Sequence, residues 1–289
     1  MVSYLAGLSP ALLYQHLRRL SICYGRIQDE FFSEFSQKFP HLEDLSLLCL
    51  ESIKISSVSL KRINLADNVG LQEAQFHVPS IVLFQYAGGI ETRVSFVSAS
   101  ERWMSRVKVR CNKKAGTLWF MKLKDFLTRL SQCSQVFVTA GLGYNVDFNL
   151  DEVTKSPEIA EFCVNICPNH ENSFKYPKPS ALALLGGIFW ACRPCAIKTS
   201  WHVSGFTKIL YEFLVLRSEP NYFGSPQVHF WNKSFELAKD IEICDSKMNR
   251  IMQLPRTLDW KAFLKALEAQ DLVNVTVCFN LQWQQAKFS

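Results

Sequence analysis

One apolar spacing recurs along this chain and limits the folds that it can adopt. The spacing places apolar residues at relative positions 1, 4 and 6, and it occurs twice between residues 42 and 65, 18 residues apart: Leu42, Leu45 and Leu47, then Leu60, Ile63 and Leu65. In an extended strand, positions 4 and 6 share one face, and position 1 falls in the preceding turn. A single strand of this kind cannot bury its apolar side chains, so each strand requires a similar strand stacked beside it.

The same spacing continues upstream and downstream, which predicts an array of repeats. The clearest further matches are Leu17, Leu20 and Ile22; Ile81, Phe84 and Tyr86; and Met104, Val107 and Val109. Weaker matches are Cys133, Val136 and Val138; Ile159, Phe162 and Val164; Cys192, Cys195 and Ile197; Ala238, Ile241 and Ile243; and Leu272, Val275 and Val277. Repeats of about 20–29 residues with one strand each are typical of the leucine-rich-repeat solenoid.

We therefore predict an α/β leucine-rich-repeat solenoid, in which a curved parallel sheet carries short helices and irregular turns on its convex side. The whole chain, residues 1–289, is expected to form one leucine-rich-repeat domain, with clear repeats over 17–110 and degenerate repeats with insertions over 111–289. Five helices are expected on helical spacing of apolar residues, over Gln28–Phe39, Leu118–Leu130, Ala181–Trp190, Thr207–Arg217 and Asp259–Ala269. The interval from Leu42 to Leu60 is too short for a helix, so we predict an irregular turn around Ser56–Ser59 there.

The residues between the buried positions form the predicted site. Positions 3, 5 and 7 of each strand point away from the core, onto the inner curve of a solenoid, and solenoids bind partners on this surface. The predicted partner-binding residues are Arg19, Ser21, Asp44, Ser46, Arg62, Asn64, Gln85, Arg106, Lys108 and Arg110. In this frame Arg19, Arg62 and Arg106 share position 3 and make a column of arginines. Such a surface suits a folded protein or an acidic protein segment, although a plain solvent-exposed sheet face has the same pattern.

Composition narrows the classes of function. The net charge is +6 and the positive residues are spread along the chain, which makes nucleic acid an unlikely partner. One local exception is a basic cluster, read either as a site for a phosphate-bearing partner or as a solvated strand with charged flanks: Arg102, Arg106, Lys108, Arg110, Lys113 and Lys114. The uncharged, apolar run Pro179–Cys192 is too short to span a bilayer. The N-terminus lacks the pattern of a signal peptide, so we expect a cytoplasmic or nuclear protein without a membrane partner.

Ten cysteines without an export signal indicate reduced thiols. Cys192 and Cys195 have the spacing of a redox or zinc motif, and Cys163 and Cys167 are candidates for a second pair of ligands. Cys192 and Cys195 also fall where the repeat requires apolar residues, and a free cysteine behaves as a small hydrophobic residue. The six histidines lie outside any recognisable catalytic context. We therefore predict no catalytic residue, no cofactor and no metal ligand, and keep a cysteine-based metal-binding or redox protein as the alternative.

Several segments resemble the leucine-rich region of plant F-box/LRR-repeat proteins. They are the run LRRLSICYGRIQDEFFSEFSQKFPHLEDLSLLCLESIKISSVSLKRINL over residues 17–65, the segment Trp190–Pro194, the segment FLVLR over Phe213–Arg217 and the segment LAKDIE over Leu237–Glu242. The likeness covers nearly the whole chain and consists of spaced leucines without a catalytic signature.

The resemblance implies a function in substrate recognition for an SCF-type ubiquitin ligase. Family members begin with an F-box of about forty residues that docks onto a Skp1-type adaptor, a family feature with no counterpart in this sequence, where Met1 falls almost on the first repeat. We therefore expect a non-enzymatic protein-binding scaffold that does not bind the adaptor unless an F-box is supplied. A truncated fragment with little function of its own is the further alternative.

Overall fold

The structure is a computed structural model, and it describes residues 14–23, 35–48, 52–66, 71–100, 102–111, 115–142, 146–148, 156–166, 178–200, 204–216, 235–245, 249–254, 261–263, 265 and 275–283. Over these residues the chain is α/β, and eleven strands form one large, mostly parallel sheet. This confirms the predicted class and the predicted parallel sheet.

The elements follow one another with few helices. The first are β1 (Arg19–Ile22), α1 (Phe35–Lys38), β2 (Asp44–Leu48), β3 (Ser52–Ser56), β4 (Arg62–Ala66), β5 (Glu73–Val78), β6 (Leu83–Gly88), β7 (Arg93–Ala99) and β8 (Met104–Arg110). The next are β9 (Ala115–Gly116), α2 (Thr117–Arg129), β10 (Gln135–Leu142), β11 (Val146–Asp147), β12 (Glu158–Ile159), β13 (Glu161–Ile166), α3 (Lys178–Ala191), β14 (Arg193–Pro194) and β15 (Ala196–Ser200). The last are α4 (Ser204–Tyr211), which continues as a π-helical segment (Glu212–Leu216), then β16 (Phe235–Cys244), β17 (Arg250–Leu254) and β18 (Thr276–Trp283).

The chain divides into two compact units. The first comprises Met1–Val109 and Thr128–Val136, and the second comprises Arg110–Leu127 and Phe137–Ser289.

In the first unit, β1, β2, β4, β6 and β8 are parallel neighbours in that order. The register pairs Leu20 with Leu45, Leu45 with Ile63, and Ile63 with Phe84. Leu45, Ile63 and Phe84 are at most 1% exposed. Three successive strands therefore shelter each other's apolar side chains, as the spacing predicts.

Return segments in the first unit differ from the prediction. Between the strands of the large sheet, the chain returns through β3, β5 and β7, and these three form a second parallel sheet. The return contains a strand, Ser52–Ser56, that the sequence did not predict; the irregular turn predicted around Ser56–Ser59 follows it and overlaps it only at Ser56. Ile53 and Ile55 of β3 alternate with exposed polar residues and are buried. A return strand of five residues can form within the 18-residue interval from Leu42 to Leu60, whereas a helix with its connecting turns would need more residues.

Aromatic side chains fill the space between the two sheets of the first unit. The ring of Phe84 lies 6.0 Å from that of Phe76 on β5 and 5.2 Å from that of Phe96 on β7. The indole of Trp103 packs 4.4 Å from Phe96 and is 1% exposed. Fully burying an aromatic residue of this size is worth roughly 1.5–3 kcal/mol, so this cluster holds the two sheets together.

The predicted repeat frame is wrong by two residues at β8. The frame places Val107 beside Phe84, whereas the register pairs Phe84 with Ser105, and Tyr86 with Val107. Ser105 is fully buried although it is not apolar. We attribute the shift to Trp103: a small side chain beside Phe84 leaves room for the indole of Trp103 next to the same ring, 6.4 Å away.

In the second unit, β10, β13 and β15 are parallel neighbours, and the frame is again shifted by two residues. Val138 pairs with Phe162, and Phe162 pairs with Ile197, so the predicted alignment of Val136 and Cys195 with Phe162 is wrong. Val138, Phe162 and Ile197 are all at most 1% exposed. The row is still apolar, because a shift of two residues keeps every side chain on the same face.

The last strands of the second unit depart from a parallel repeat. β18 is antiparallel to both β15 and β16, and β17 is antiparallel to β16. The prediction of a parallel repeat at Leu272, Val275 and Val277 is therefore wrong for the strand; Leu272 lies outside the described residues.

The helices lie where the spacing of apolar residues predicts them. α2 (Thr117–Arg129) and α3 (Lys178–Ala191) confirm the helices expected over Leu118–Leu130 and Ala181–Trp190. α4 and its π-helical continuation confirm the helix expected over Thr207–Arg217 as far as Leu216. Of the helix expected over Asp259–Ala269, residues 261–263 and 265 are described, and all four are helical. A Cβ atom on Gly187 of α3 would come within 2.5 Å of the Phe120 ring of α2, so the two helices pack closely there. Of the helix expected over Gln28–Phe39, Phe35–Lys38 forms α1 and Phe39 follows it outside the helix; residues 28–34 lie outside the described residues.

Candidate protein-binding face

The predicted site residues lie on one side of the large sheet. We use the name open face for the outward-pointing side chains of β1, β2, β4, β6 and β8. Each of these side chains alternates with an inward-pointing one along its strand, which is the pattern of a strand buried on one side. The ten residues are Arg19, Ser21, Asp44, Ser46, Arg62, Asn64, Gln85, Arg106, Lys108 and Arg110.

Strand register arranges these residues in rows across the open face. One row runs through Arg19, Asp44, Arg62, Leu83 and Met104. The next row runs through Ser21, Ser46, Asn64, Gln85 and Arg106. The predicted column of arginines is therefore wrong, because the shifted register at β8 moves Arg106 out of the row of Arg19 and Arg62.

Asp44 is the electrostatic centre of the first row. Both of its carboxylate oxygens accept hydrogen bonds from the guanidinium of Arg62, with an Nη2 to Oδ2 distance of 2.7 Å. The Nε atom of Arg19 lies 3.0 Å from Oδ2 on the other side. The hydrogen bonds from Arg62, helped by the charge of Arg19, outweigh partial burial and lower the pKa of Asp44. The same pairing raises the pKa of Arg62.

A second acidic residue, just before β2, pairs with the remaining cations nearby. Glu43 lies 3.2 Å from Lys61 and 3.8 Å from Arg18. The cations flanking β2 thus have carboxylate partners within the protein.

The cations of β8 differ from Arg19 on β1 and Arg62 on β4, which are paired with a carboxylate. On β8, the outward-pointing side chains Arg106, Lys108 and Arg110 are exposed, and each alternates with a buried residue along the strand. Within the described ranges, none of the three has an ion-pair or hydrogen-bond partner. Arg102, just before the strand, is also exposed, whereas Lys113 and Lys114 of the predicted basic cluster lie outside the described residues.

The second unit has an ion pair that sequence reasoning missed. On β15, Lys198 Nζ lies 2.6 Å from Glu161 Oε2 of β13, and these side chains are only 16% and 20% exposed. Burial lowers the pKa of Lys198, but the hydrogen bond and the charge of Glu161 outweigh it and raise that pKa overall. The register places Lys198 between Cys163 and Cys278. The incorrect frame places Lys198 beside Asn165 instead, two residues further along β13.

The two cysteines with motif spacing have different surroundings. Cys192 is fully buried at the end of α3, where its thiol donates a hydrogen bond to the carbonyl oxygen of Ile188 at 3.4 Å. Cys195 is exposed between β14 and β15. Burial raises the pKa of both thiols; at Cys195 the charge of Glu158 acts in the same direction, against that of Arg193. Both therefore favour the protonated, weakly nucleophilic form.

Metal ligation is similarly unsupported in the part of the chain that the structure describes. There, His, Cys, Asp and Glu side chains do not form any group of three or more suited to a metal ion. Cys163 lies on β13, where burial raises its pKa to about 11, and Cys167 lies outside the described residues.

Comparisons with known proteins add no relative. No family model matches the sequence, and searches of curated proteins and of solved structures found no match. Among the described residues, no helix is long and apolar enough to cross a membrane. The fold and the open face together define an α/β protein with a large, mostly parallel sheet that presents polar and charged side chains in register.

Proposed function

We propose that this chain is a protein-binding scaffold of the leucine-rich-repeat solenoid type, similar to the substrate-recognition region of an SCF-type F-box/LRR subunit. The proposal includes no reaction and no cofactor. The open face is the binding surface, and a folded protein or an acidic protein segment is the partner.

The observation that supports this proposal best is the in-register arrangement of the open face. Five parallel strands place five side chains of each row on neighbouring strands, which the hydrogen bonds of the sheet hold about 4.8 Å apart. A surface fixed in this way loses little conformational entropy when it binds, which favours affinity.

The composition of the open face suits a protein partner. Half-buried Leu48, Leu83 and Met104 lie among the polar side chains. Protein interfaces combine apolar contacts with arginine and hydrogen-bonding side chains in this way, and arginine and methionine are enriched in them. The first row supplies charged and apolar side chains, and the second row supplies hydroxyl and amide groups, so the open face offers both kinds of contact.

Site-specific photo-crosslinking tests the open face as the binding surface. A photo-crosslinking residue is introduced at Asn64 on the open face, or at Gln75 on the outward side of the second sheet. Both positions lie on the middle strand of a parallel run in the first unit, and both are half-buried. In extracts of the source cells we expect one reproducible protein adduct from position 64 and none from position 75. The same adducts from both positions, or none from either, would contradict the proposal.

The link to a ubiquitin ligase needs a separate test. We expect this 289-residue chain to elute apart from a purified Skp1-type adaptor in size-exclusion chromatography. A fusion that carries an F-box at the N-terminus is expected to co-elute with the adaptor and to promote ubiquitination of the partner crosslinked at position 64. Co-elution of the unfused chain would show that the adaptor contact does not need an F-box. A fusion that co-elutes but leaves the partner unmodified would contradict the role in substrate recognition.

A further inference from the structure

The cations of the open face divide into two groups with different surroundings. Arg19 and Arg62 contact Asp44, at 3.0 Å and 2.7 Å, and the Arg62 contact uses both carboxylate oxygens. Arg106 and Lys108 on β8 are exposed, and the described residues offer them no carboxylate partner. Sequence alone gives these four cations the same role, and the structure separates them.

The difference between these two groups of cations determines where an acidic partner gains the most binding free energy. An incoming carboxylate near Arg62 competes with Asp44, whose two-point contact has the geometry of the stronger charge-assisted hydrogen bonds. It is also repelled by the charge of Asp44 itself. At β8 there is no such competition, because the cations face solvent. A contact with Arg106 or Lys108 therefore adds an interaction without breaking one.

The neighbours of the two β8 cations leave them accessible. Gln85 pairs with Arg106, and Ala87 pairs with Lys108, on the adjacent strand β6. The amide of Gln85 can donate to and accept from a peptide backbone, whereas the methyl group of Ala87 rises little above the sheet. A chain that lies over β6 and β8 can thus approach Lys108 closely and find a hydrogen-bonding group beside Arg106.

The spacing of the cations specifies the form of the partner. Arg106 and Lys108 are two residues apart on one strand, which corresponds to roughly 6.6–6.8 Å. An extended peptide repeats its side chains on one face with the same period. We propose that the partner presents an extended segment with carboxylates at alternate residues, and that these carboxylates bind Arg106 and Lys108. This inference rests on the proposed function, because it assigns the partner class for the same open face.

Two synthetic peptides test the spacing. One fluorescein-labelled peptide has four glutamates at every second residue, and the other has four at every third residue, with serines between them. In the second peptide, successive glutamates of an extended chain point to opposite sides. Fluorescence anisotropy is expected to show tighter binding of the first peptide, by about threefold or more, because one ion pair between exposed groups contributes up to about 1 kcal/mol. Equal affinity for the two peptides would overturn the proposed spacing.

A matched pair of variants tests the location. Arg106→Gln/Lys108→Gln removes the β8 cations. Lys54→Gln/Arg93→Gln removes one lysine and one arginine from the outward side of the second sheet, where both are exposed. The two variants have the same net charge, so nonspecific attraction falls equally. The β8 variant is expected to bind the alternating peptide about tenfold more weakly, and the second-sheet variant by less than about twofold. Equal weakening by both variants would overturn the assignment.

Further controls separate this inference from its competitors. All four positions are exposed, so both variants are expected to keep the wild-type unfolding midpoint. A single-stranded oligothymidylate of similar charge is expected to bind more weakly than the alternating peptide; equal or tighter binding would show a site for polyanions in general and overturn the inference.

Crosslinking from position 64 separates the failure of this inference from the failure of the proposed function. If the β8 variant captures the partner at position 64 at the wild-type level, the inference is overturned and the proposed function stays intact. If the chain that carries the photo-crosslinking residue at position 64 and no other change forms no adduct, the proposed function itself is contradicted.

Discussion

Arg62 and Asp44 form a two-point ion pair across neighbouring parallel strands, with a 2.7 Å contact between Nη2 and Oδ2. The pair lies on the open face. Because the two charges already bind each other, a partner cannot bind either of them without displacing the other. The pair links β2 to β4, and Arg19 extends the link to β1. A charged residue predicted as a binding residue is thus part of the internal structure of the face.

Acid is expected to weaken the link between these strands. Because Arg62 and Arg19 lower the pKa of Asp44 in the folded state, the pair contributes its full stability above 3.8, the value for the unfolded chain. That contribution is lost as the pH falls through the lower pKa of the folded state. The Asp44→Asn variant is therefore expected to unfold at a slightly lower temperature than wild type at pH 7, and this difference is expected to shrink as the pH falls below 3.8.

Differential scanning calorimetry across this pH range measures the difference in unfolding temperature. Ser46→Ala, at the half-buried position two residues further along β2, serves as the control and is expected to shift the midpoint equally at every pH. A constant difference between Asp44→Asn and wild type from pH 7 to pH 2 would contradict the assignment of the stabilising charge to Asp44.

Loss of the Phe84 ring is expected to destabilise the first unit strongly. Phe84 of the large sheet is fully buried and contacts the rings of Phe76 and Phe96 on the second sheet, so Phe84→Ala leaves a cavity between the two sheets. Truncations of this kind cost about 3–5 kcal/mol. Val82→Ala, close to Phe84 at a position that is 55% exposed, is expected to change the free energy of unfolding by less than about 0.5 kcal/mol. Urea denaturation compares the two variants, and similar effects would contradict the two-sheet core.

Lys198 is expected to matter more than an exposed lysine of the same unit. Lys198→Gln leaves the mostly buried Glu161 carboxylate without its 2.6 Å partner, which is expected to cost about 1–3 kcal/mol. Lys208→Gln, at a side chain that is 52% exposed and 3.8 Å from Glu212, is expected to cost about 0.5 kcal/mol or less. Chemical denaturation at pH 7 measures both, and equal costs would contradict the role of the Lys198–Glu161 pair.

Alkaline pH gives the same ion pair an independent test. The pKa of Lys198 is raised in the folded state, so its contribution is fully present below 10.5, the value for the unfolded chain. The contribution is lost as the pH rises through the higher pKa of the folded state. Wild type is therefore expected to lose more stability than Lys198→Gln between pH 9 and about pH 12. Parallel curves for the two proteins would contradict the raised pKa.

Thiol labelling separates the two cysteines with motif spacing. Cys195 is exposed and is expected to react with a maleimide in the native protein, whereas fully buried Cys192 is expected to react only after unfolding. Cys195→Ser should remove one native labelling site, and Cys192→Ser should remove none. Mass spectrometry after labelling identifies the modified residues. Zinc bound in a one-to-one ratio and lost in both variants would favour the metal-binding alternative instead.

Period-two alternation made the open face predictable from sequence. Leu45 and Leu47 mark the buried side of β2, so Asp44 and Ser46 must point the other way, and the same logic holds on β4. A shift of two residues leaves this conclusion unchanged, which is why Arg106 and Lys108 are on the predicted side although their rows are not as predicted.

Row assignments failed where burial did not follow hydrophobicity. Ser105 is buried and pairs with Phe84, yet a pattern of apolar residues has no place for it. The alternation of Ile53 and Ile55 was present in the sequence, but repeat length alone could not separate a return strand from a turn. Strand direction was not predictable either, because an antiparallel strand such as β18 has the same alternation as a parallel one.

The position of β18 also has a consequence for the order in which the second unit is assembled. β18 follows β15 and β16 in the sequence, yet it lies between them in the sheet. While a ribosome synthesises the protein, β16 and β17 emerge first and can pair with each other, but β16 cannot join the large sheet until β18 is available to lie between it and β15. A nascent chain stopped just before residue 276 is therefore expected to keep the β16–β17 hairpin detached from the sheet and open to proteolysis.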